Sequence, residues 1–177
     1  MNFFEGFKLS FLEWFEDIKE TFILCFIDDN NYELLVNGLG VTIKVTLVAA
    51  ALGLVIGFLI ALCNLSKNKA LNTIGKIYTD VIRGTPSVTQ LMIIYFVVFA
   101  SVNLEKWLIA SFAFSINSGA YVSEIIRAGI LSIDKGQTEA GRSLGLNSRQ
   151  TMFNIIVPQA VKNIFPALCN EFITLIK

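Results

Sequence analysis

From Gly40 to Leu65 the chain runs 26 residues with one charge, Lys44, placed near an end where its stem can lie along apolar surface and its ammonium can reach water. A helix that crosses a bilayer needs ~20 apolar residues, so this run is long enough to span one. Backbone polar groups inside hydrocarbon must be satisfied within the segment itself, which makes the run a helix and excludes an open sheet or an irregular loop there. Ala49, Gly53, Gly57 and Ala61 recur every four residues along it, a stripe of small side chains against which a second helix can pack closely.

The rest of the chain repeats the arrangement, with long uncharged runs separated by charged clusters. Hydrophobic residues make up 54%, the formal net charge is +0 and the mean hydropathy is +0.64. This is an all-α, polytopic membrane chain, and it lacks the basic footprint of a nucleic-acid binder. It has no His, so no Ser-His-Asp triad, Cys-His pair or imidazole metal site is available; no catalytic residue, metal or cofactor is expected. Cys25, Cys63 and Cys169 lie far apart and read as small apolar fillers.

Four spans are expected, over residues 42–65, 87–102, 107–126 and 157–176. Ahead of them, Phe4, Phe7, Phe11, Phe15, Ile18, Phe22 and Phe26 recur at steps of three or four while Glu5, Glu13, Glu16, Asp17 and Glu20 take other faces. Residues 1–30 therefore form an amphipathic helix, either flat on the membrane or packed as a cover on neighbouring helices. A basic start and a small-residue cleavage site are missing, so it is not a signal peptide. Asp28 to Val41, with Asp28, Asp29, Asn30, Asn31, Gly38 and Gly40, reads as a turn-rich boundary.

Orientation follows from the basic residues. Ser66 to Gln90 holds Lys67, Lys69, Lys76 and Arg83 against Asp80, and Arg127 to Gln150 holds Arg127, Lys135, Arg142 and Arg149 against Asp134 and Glu139. Both loops are expected on the cytoplasmic side, which puts the acidic N-terminal segment outside. Trp107 suits the membrane interface. Tyr121, Glu124 and Arg127 stand three apart near the inner end of the third span, as a self-paired helix end or as part of a substrate or coupling path. Asn170 and Glu171 are polar at bilayer depth, functional candidates or hydrogen-bonded structural groups. Pro158 and Pro166 are expected to bend the last helix.

One polar segment is tightly patterned. Between Gly136 and Pro158 come Glu139-Ala140-Gly141, then Gly145, then Ile155-Ile156-Val157-Pro158. Gln137 to Leu144 are mostly good helix formers and Gly145 stands where a left-handed cap ends a helix, so a short helix, a forced turn and a helix entering the membrane are expected. Gly136, Gly141, Arg142 and Ser143 nearly spell a phosphate loop. Arg142 stands in place of its Lys, no strand precedes it, and Glu139 would put an anion in the cradle.

This spacing resembles the EAA loop of ATP-binding-cassette importer permeases, with Gly141 in place of the second Ala and Val157 in place of Leu. Further blocks are similar to the polar amino-acid uptake branch of that family: Asn37-Gly38 with Thr42 and Thr46, Arg83-Gly84-Thr85-Pro86 with Gln90-Leu91, Ala120-Tyr121 with Glu124 and Arg127, Lys135-Gly136-Gln137, Pro158-Gln159-Ala160 and Asn170-Glu171-Phe172. The resemblance covers about Tyr32 to Lys177. It implies a type I importer permease fold over residues 31–177, with the cytoplasmic EAA loop over 127–156. Such permeases have five spans, so it also implies a further span beyond Thr174-Leu175-Ile176-Lys177, the chain being a fragment or a shortened product.

By the same resemblance Glu139, Ala140, Gly141, Gly145, Ile155 and Pro158 couple to ATPase subunits, and Arg83, Gly84, Thr85 and Pro86 form a family motif. Gln90, Tyr121, Glu124, Arg127, Asn170 and Glu171 are candidates for the translocation pathway or for structural roles. The implied partners are cytoplasmic ATPase subunits, an extracellular or periplasmic amino-acid-binding protein, a second permease subunit and the lipid of a bacterial plasma membrane. ATP hydrolysis then belongs to a partner and the chain is not an enzyme. An ion-coupled carrier or channel without an ATPase is the competing reading; no ring-forming acidic series or inverted repeat favours it.

Overall fold

The computed structural model describes residues 3–177, apart from the side chains of residues 3–7, 9 and 29, so the Phe4, Glu5, Phe7 and Asp29 side chains named above lie outside the described residues. Among the described residues every regular element is helical. The chain divides into two units, Met1–Thr42 and Ile43–Lys177.

In the first unit, helix α1 (Phe3–Phe26) carries Phe11, Phe15, Phe22 and Phe26 at helical spacing, with the Phe22 and Phe26 rings stacked at 4.7 Å and the Phe11 and Trp14 rings 5.9 Å apart. A 3-10 turn, Asp28–Asn30, follows, with Asn30 at φ 58, and the Asn31 amide donates to the Leu24 carbonyl at 3.1 Å. Helix α2 (Asn31–Leu65) then begins. The expected boundary over Asp28 to Val41 is thus confined to three residues. Gly38 and Gly40 stay helical although each costs about 1 kcal/mol against Ala, because each residue added to a helix already nucleated gains a backbone hydrogen bond.

In the second unit, α2 buries Thr46, Ala49, Gly53, Gly57, Ala61 and Asn64, the stripe read from the sequence with one polar residue added at each end. It meets helix α5 (Lys106–Leu131) at very close range: a Cβ on Gly53 would stand 3.0 Å from the Ser118 Cβ, and one on Gly57 would stand 2.9 Å from the Gly119 carbonyl oxygen. Small residues are required where two backbones approach this closely. Helix α5 is the hub, packing on α3, α4 and α8. Its buried Ser111, Ser115 and Ser123 hydroxyls donate to the carbonyls of Trp107, Phe112 and Ala120, so polar side chains are satisfied on the helix itself.

Ser66 to Gln90 was expected as a loop and is mostly helix. Helix α3 (Lys69–Arg83) is N-capped by Asn68 and packs on α5 with its small and polar side inward. Thr79 Oγ1 lies 3.3 Å from Ser123 Oγ and accepts from Asn64 Nδ2 at 3.3 Å, and the Tyr78 hydroxyl donates to the Ile116 carbonyl at 2.6 Å. Leu71, Ile74, Ile77 and Val81 face outward. This is the reverse of a water-soluble amphipathic helix, as befits a segment whose outer surroundings are apolar. Helix α4 (Ser87–Ile93) continues as a π turn, Ile94–Val98, and lies at 103° to α3 across Gly84-Thr85-Pro86.

Helices α6 (Lys135–Ser143), α7 (Ser148–Thr151) and α8 (Val157–Ile176) complete the unit; a π turn, Met152–Ile156, joins the last two into one helix from Ser148 to Ile176. The Val157 N–H donates to the Met152 carbonyl, five residues back. Pro158 has no N–H and its ring crowds the carbonyl four residues earlier, so the widened turn directly before it takes up a disturbance expected to appear as a bend. By length and composition Asn31–Leu65 and Ser148–Ile176 are candidate membrane helices, with bent Lys69–Arg83 plus Ser87–Val98 as a third. The expected 107–126 span lies within α5, whose hydropathy is diluted by serines that face other helices.

Candidate coupling loop and polar cavity

The patterned loop is a rigid unit. Asp134 caps α6 by accepting from the Gly136 N–H at 2.7 Å. At its other end the Gly145 N–H donates to the Arg142 carbonyl and the Leu146 N–H to the Gly141 carbonyl, at 3.0 and 3.1 Å. With Gly145 at φ +84, these bonds form the Schellman arrangement, so the left-handed cap expected from the sequence is present. Asn147 and Gln150 then form a reciprocal capping box, each side chain taking the other's backbone N–H at 2.9 Å.

Side chains tie α6 to the helix that enters the membrane. Gly141 is buried; a Cβ there would stand 2.8 Å from Thr151 Cγ2 and 2.9 Å from Ile155 Cδ1. Arg142 donates to Ser148 Oγ at 2.7 Å, and Gln159 Nε2 bridges the Ile155 carbonyl at 2.9 Å and Gln137 Oε1 at 3.3 Å. Farther along, Asn163 donates to Ser132 Oγ at 2.9 Å. The side facing away from these bonds is open. Glu139, Ala140 and Gly145 are exposed, Leu144 is 79% exposed, and Pro158 is exposed while Ile155 is half-buried. A large apolar side chain left exposed at the tip of a fixed turn is a feature the sequence reading passed over; the signal was Leu144 directly before the capping glycine.

The second constellation joins motifs that are far apart in the chain. Arg83, Gly84, Thr85 and Pro86 line a polar cavity of about 800 Å³ together with Asn117 and Tyr121 of α5 and Asn170, Glu171 and Thr174 of α8. The Arg83 guanidinium carbon lies 5.2 Å from the centre of the Tyr121 ring, within cation–π range. Asn117 and Thr174 were missed from sequence, although polar residues inside apolar runs are the usual sign of such a place. An apolar groove of about 370 Å³ adjoins it between α2, α5 and α8 and shares Glu171.

Other candidates separate. Glu124 and Arg127 pair with each other, Nε to Oε2 at 2.9 Å and Nη2 to Oε1 at 2.5 Å, so the self-paired reading describes their geometry while Tyr121 turns to Arg83. Gln90 is buried and is not among the cavity-lining residues. Its Nε2 donates toward the Ile82 carbonyl at 2.5 Å and toward Thr85 Oγ1 and O at 2.5 and 3.0 Å, and its Oε1 accepts from Asn117 Nδ2 at 3.0 Å. Among the described residues no group of three or more Cys, Asp or Glu side chains is gathered as a metal site would need.

Residues 53–177 match the family described as binding-protein-dependent transport system inner membrane component. The chain is 48% identical over 145 residues to the putative glutamine transport system permease protein GlnP of Rickettsia bellii (strain RML369-C), and 46% identical over 145 residues to the arginine transport system permease protein ArtQ of Bacillus subtilis (strain 168). Each match covers 81% of this chain and 66% of the relative, so the chain spans just under two thirds of their length. A crystal structure of an amino acid ABC transporter with histidines is similar at a TM-score of 0.77 and 43% identity, over 83% of this chain and 69% of that one.

Proposed function

The chain belongs to the family of binding-protein-dependent transport system inner membrane components, and from that premise we propose that it is a permease subunit of an ATP-driven importer for polar amino acids. The observation that carries this reading is the family match itself, because residues 53–177 contain both the patterned loop and the polar cavity. Relatives named for glutamine and arginine transport support the substrate class.

Each part then has a task. A binding protein delivers the amino acid at the outer face, two permease subunits enclose its path, and ATPase subunits dock on the exposed side of α6 and the Gly145 turn, with Glu139, Ala140 and Leu144 as the surface they meet. Because Gly141, Arg142 and Gln137 bind α6 to the helix that carries Asn170 and Glu171, a displacement of α6 moves one wall of the cavity. Arg83 on one wall and Glu171 on another suit the carboxylate and ammonium ends of an amino acid. Hydrolysis takes place in the partner, and this chain works as a lever. Residues 31–177 form the permease domain and α1 an external amphipathic helix; the start of α3, with Lys67 and Lys69, and the loop holding Lys135 to Arg149 face the cytoplasm of a bacterium, while Arg83 at the far end of α3 lies within the membrane.

Reconstitution tests the reading. Proteoliposomes holding the transporter with its ATPase and binding protein take up a polar amino acid only with ATP inside the compartment that the loops face. Uptake by the permease alone would replace this reading with the ion-coupled carrier.

A further inference from the structure

Between α3 and α4 the chain turns through 103° in three residues, one of them Pro86, which donates no hydrogen bond. Helix ends leave backbone groups without intrahelical partners, and at a sharp turn inside a membrane span these must be met by side chains or by the cavity the turn lines. The Gln90 carboxamide meets that need. It is 8% exposed, and its nitrogen lies 2.5 Å from the Ile82 carbonyl in the last turn of α3 and within 3.0 Å of both Thr85 oxygens in the bend itself. Its oxygen takes the Asn117 amide of α5 at 3.0 Å. One side chain on α4 therefore holds the end of α3, the turn and α5.

Arg83 is the last residue of α3, directly after Ile82, and it reaches over Tyr121, one helical turn beyond Asn117 on α5. The turn is thus fixed to one stripe of α5 at two places, by the buried Gln90 on Asn117 and by Arg83 on Tyr121, and both α5 residues line the cavity. We infer that Gln90 is a positioning residue, a clamp that sets the α3–α4 bend and thereby places the Arg83 guanidinium in the translocation cavity. It contacts no transported molecule. The inference rests on the permease reading given above. Of the two roles open to Gln90, pathway or structural, this is the structural one.

The amide is required because both of its ends are used. Leucine has nearly the same volume but leaves the Asn117 amide without its acceptor and removes the nitrogen that ties α4 to the Ile82 and Thr85 oxygens, so the bend loses its hold on α5. The distortion appears at Arg83, whereas the α6 loop stands on other elements. The expected defect is therefore uncoupling: ATP is hydrolysed and little amino acid moves.

The test uses proteoliposomes of the complete transporter with binding protein, in which uptake and binding-protein-stimulated ATP hydrolysis are measured together. Gln90→Leu should lower uptake at least fivefold while stimulated hydrolysis stays within twofold of the unaltered transporter. Arg83→Ala should give the same split, and the double variant should be no worse than Arg83→Ala alone, because both act through one guanidinium. Normal uptake by Gln90→Leu overturns the clamp; so does a parallel fall of uptake and hydrolysis, or additive losses in the double variant. Failure of the unaltered transporter to couple uptake to ATP would instead overturn the permease reading.

Discussion

Replacing Gly145 separates two reasons for a glycine at the tip of the loop. Its φ of +84 lies in the left-handed region, and a Cβ there would meet nothing within 4 Å, so within this chain the cost of a side chain is backbone strain alone. That strain is about 1–2 kcal/mol for an L-residue with a Cβ, and less for Asn, which visits the region more readily. If the ATPase binds only the capped turn, the apparent affinity falls with the fraction of chains that keep it, so about 1–2 kcal/mol becomes at most roughly a 5–30-fold loss for Gly145→Ala. Asn is larger than Ala but less strained. Strain therefore ranks Gly145→Asn milder than Gly145→Ala, and collision with a docked partner ranks them the other way. Titrating purified ATPase against each variant, at matched permease abundance in nanodiscs, gives the order. Unchanged affinity for both would refute the claim that this turn is the docking surface, and a milder effect for Ala than for Asn would refute the strain argument.

Glu139 is exposed on the same helix, so Glu139→Lys should leave membrane abundance unchanged and weaken ATPase co-purification at least threefold; equal recovery would make it a solvated charge. At Gly141 a Cβ would press on the end of the Ile155 side chain, which can turn aside, and on Thr151, which is stiff at χ1. Gly141→Ala should therefore cost under about 1.5 kcal/mol of thermal stability and Gly141→Leu about 1–3, the cost of overpacking, and equal melting temperatures would contradict the close packing of α6 on the π turn. A cysteine placed at Asn68 or Ser148 in a chain with Cys25, Cys63 and Cys169 replaced should react in intact cells only with a membrane-permeant reagent; labelling by an impermeant one would reverse the orientation. Gly57→Leu should lower the yield of folded protein sharply, because its Cβ would stand 2.5 Å from the Val122 side chain.

Local chemistry was enough for the features that depend on neighbours in the chain. Hydropathy marks Gly40 to Leu65 as a helix, four-residue spacing marks its small stripe, and Gly145 after a run of helix formers marks the left-handed cap, since each depends on helical period or on one residue's allowed φ. The helical state of residues 31–41 was hidden because glycines and asparagines signal turns locally, and only continuity with a long helix overrides them. Helix α3 was hidden for another reason: its polar residues were read as facing water, and only packing shows that Thr79 and Tyr78 face α5. The polar cavity depended on tertiary structure most of all. Arg83, Asn117, Tyr121 and Glu171 lie on three helices as far as 88 residues apart, and which face each helix presents to the others is decided by where small residues let the backbones meet.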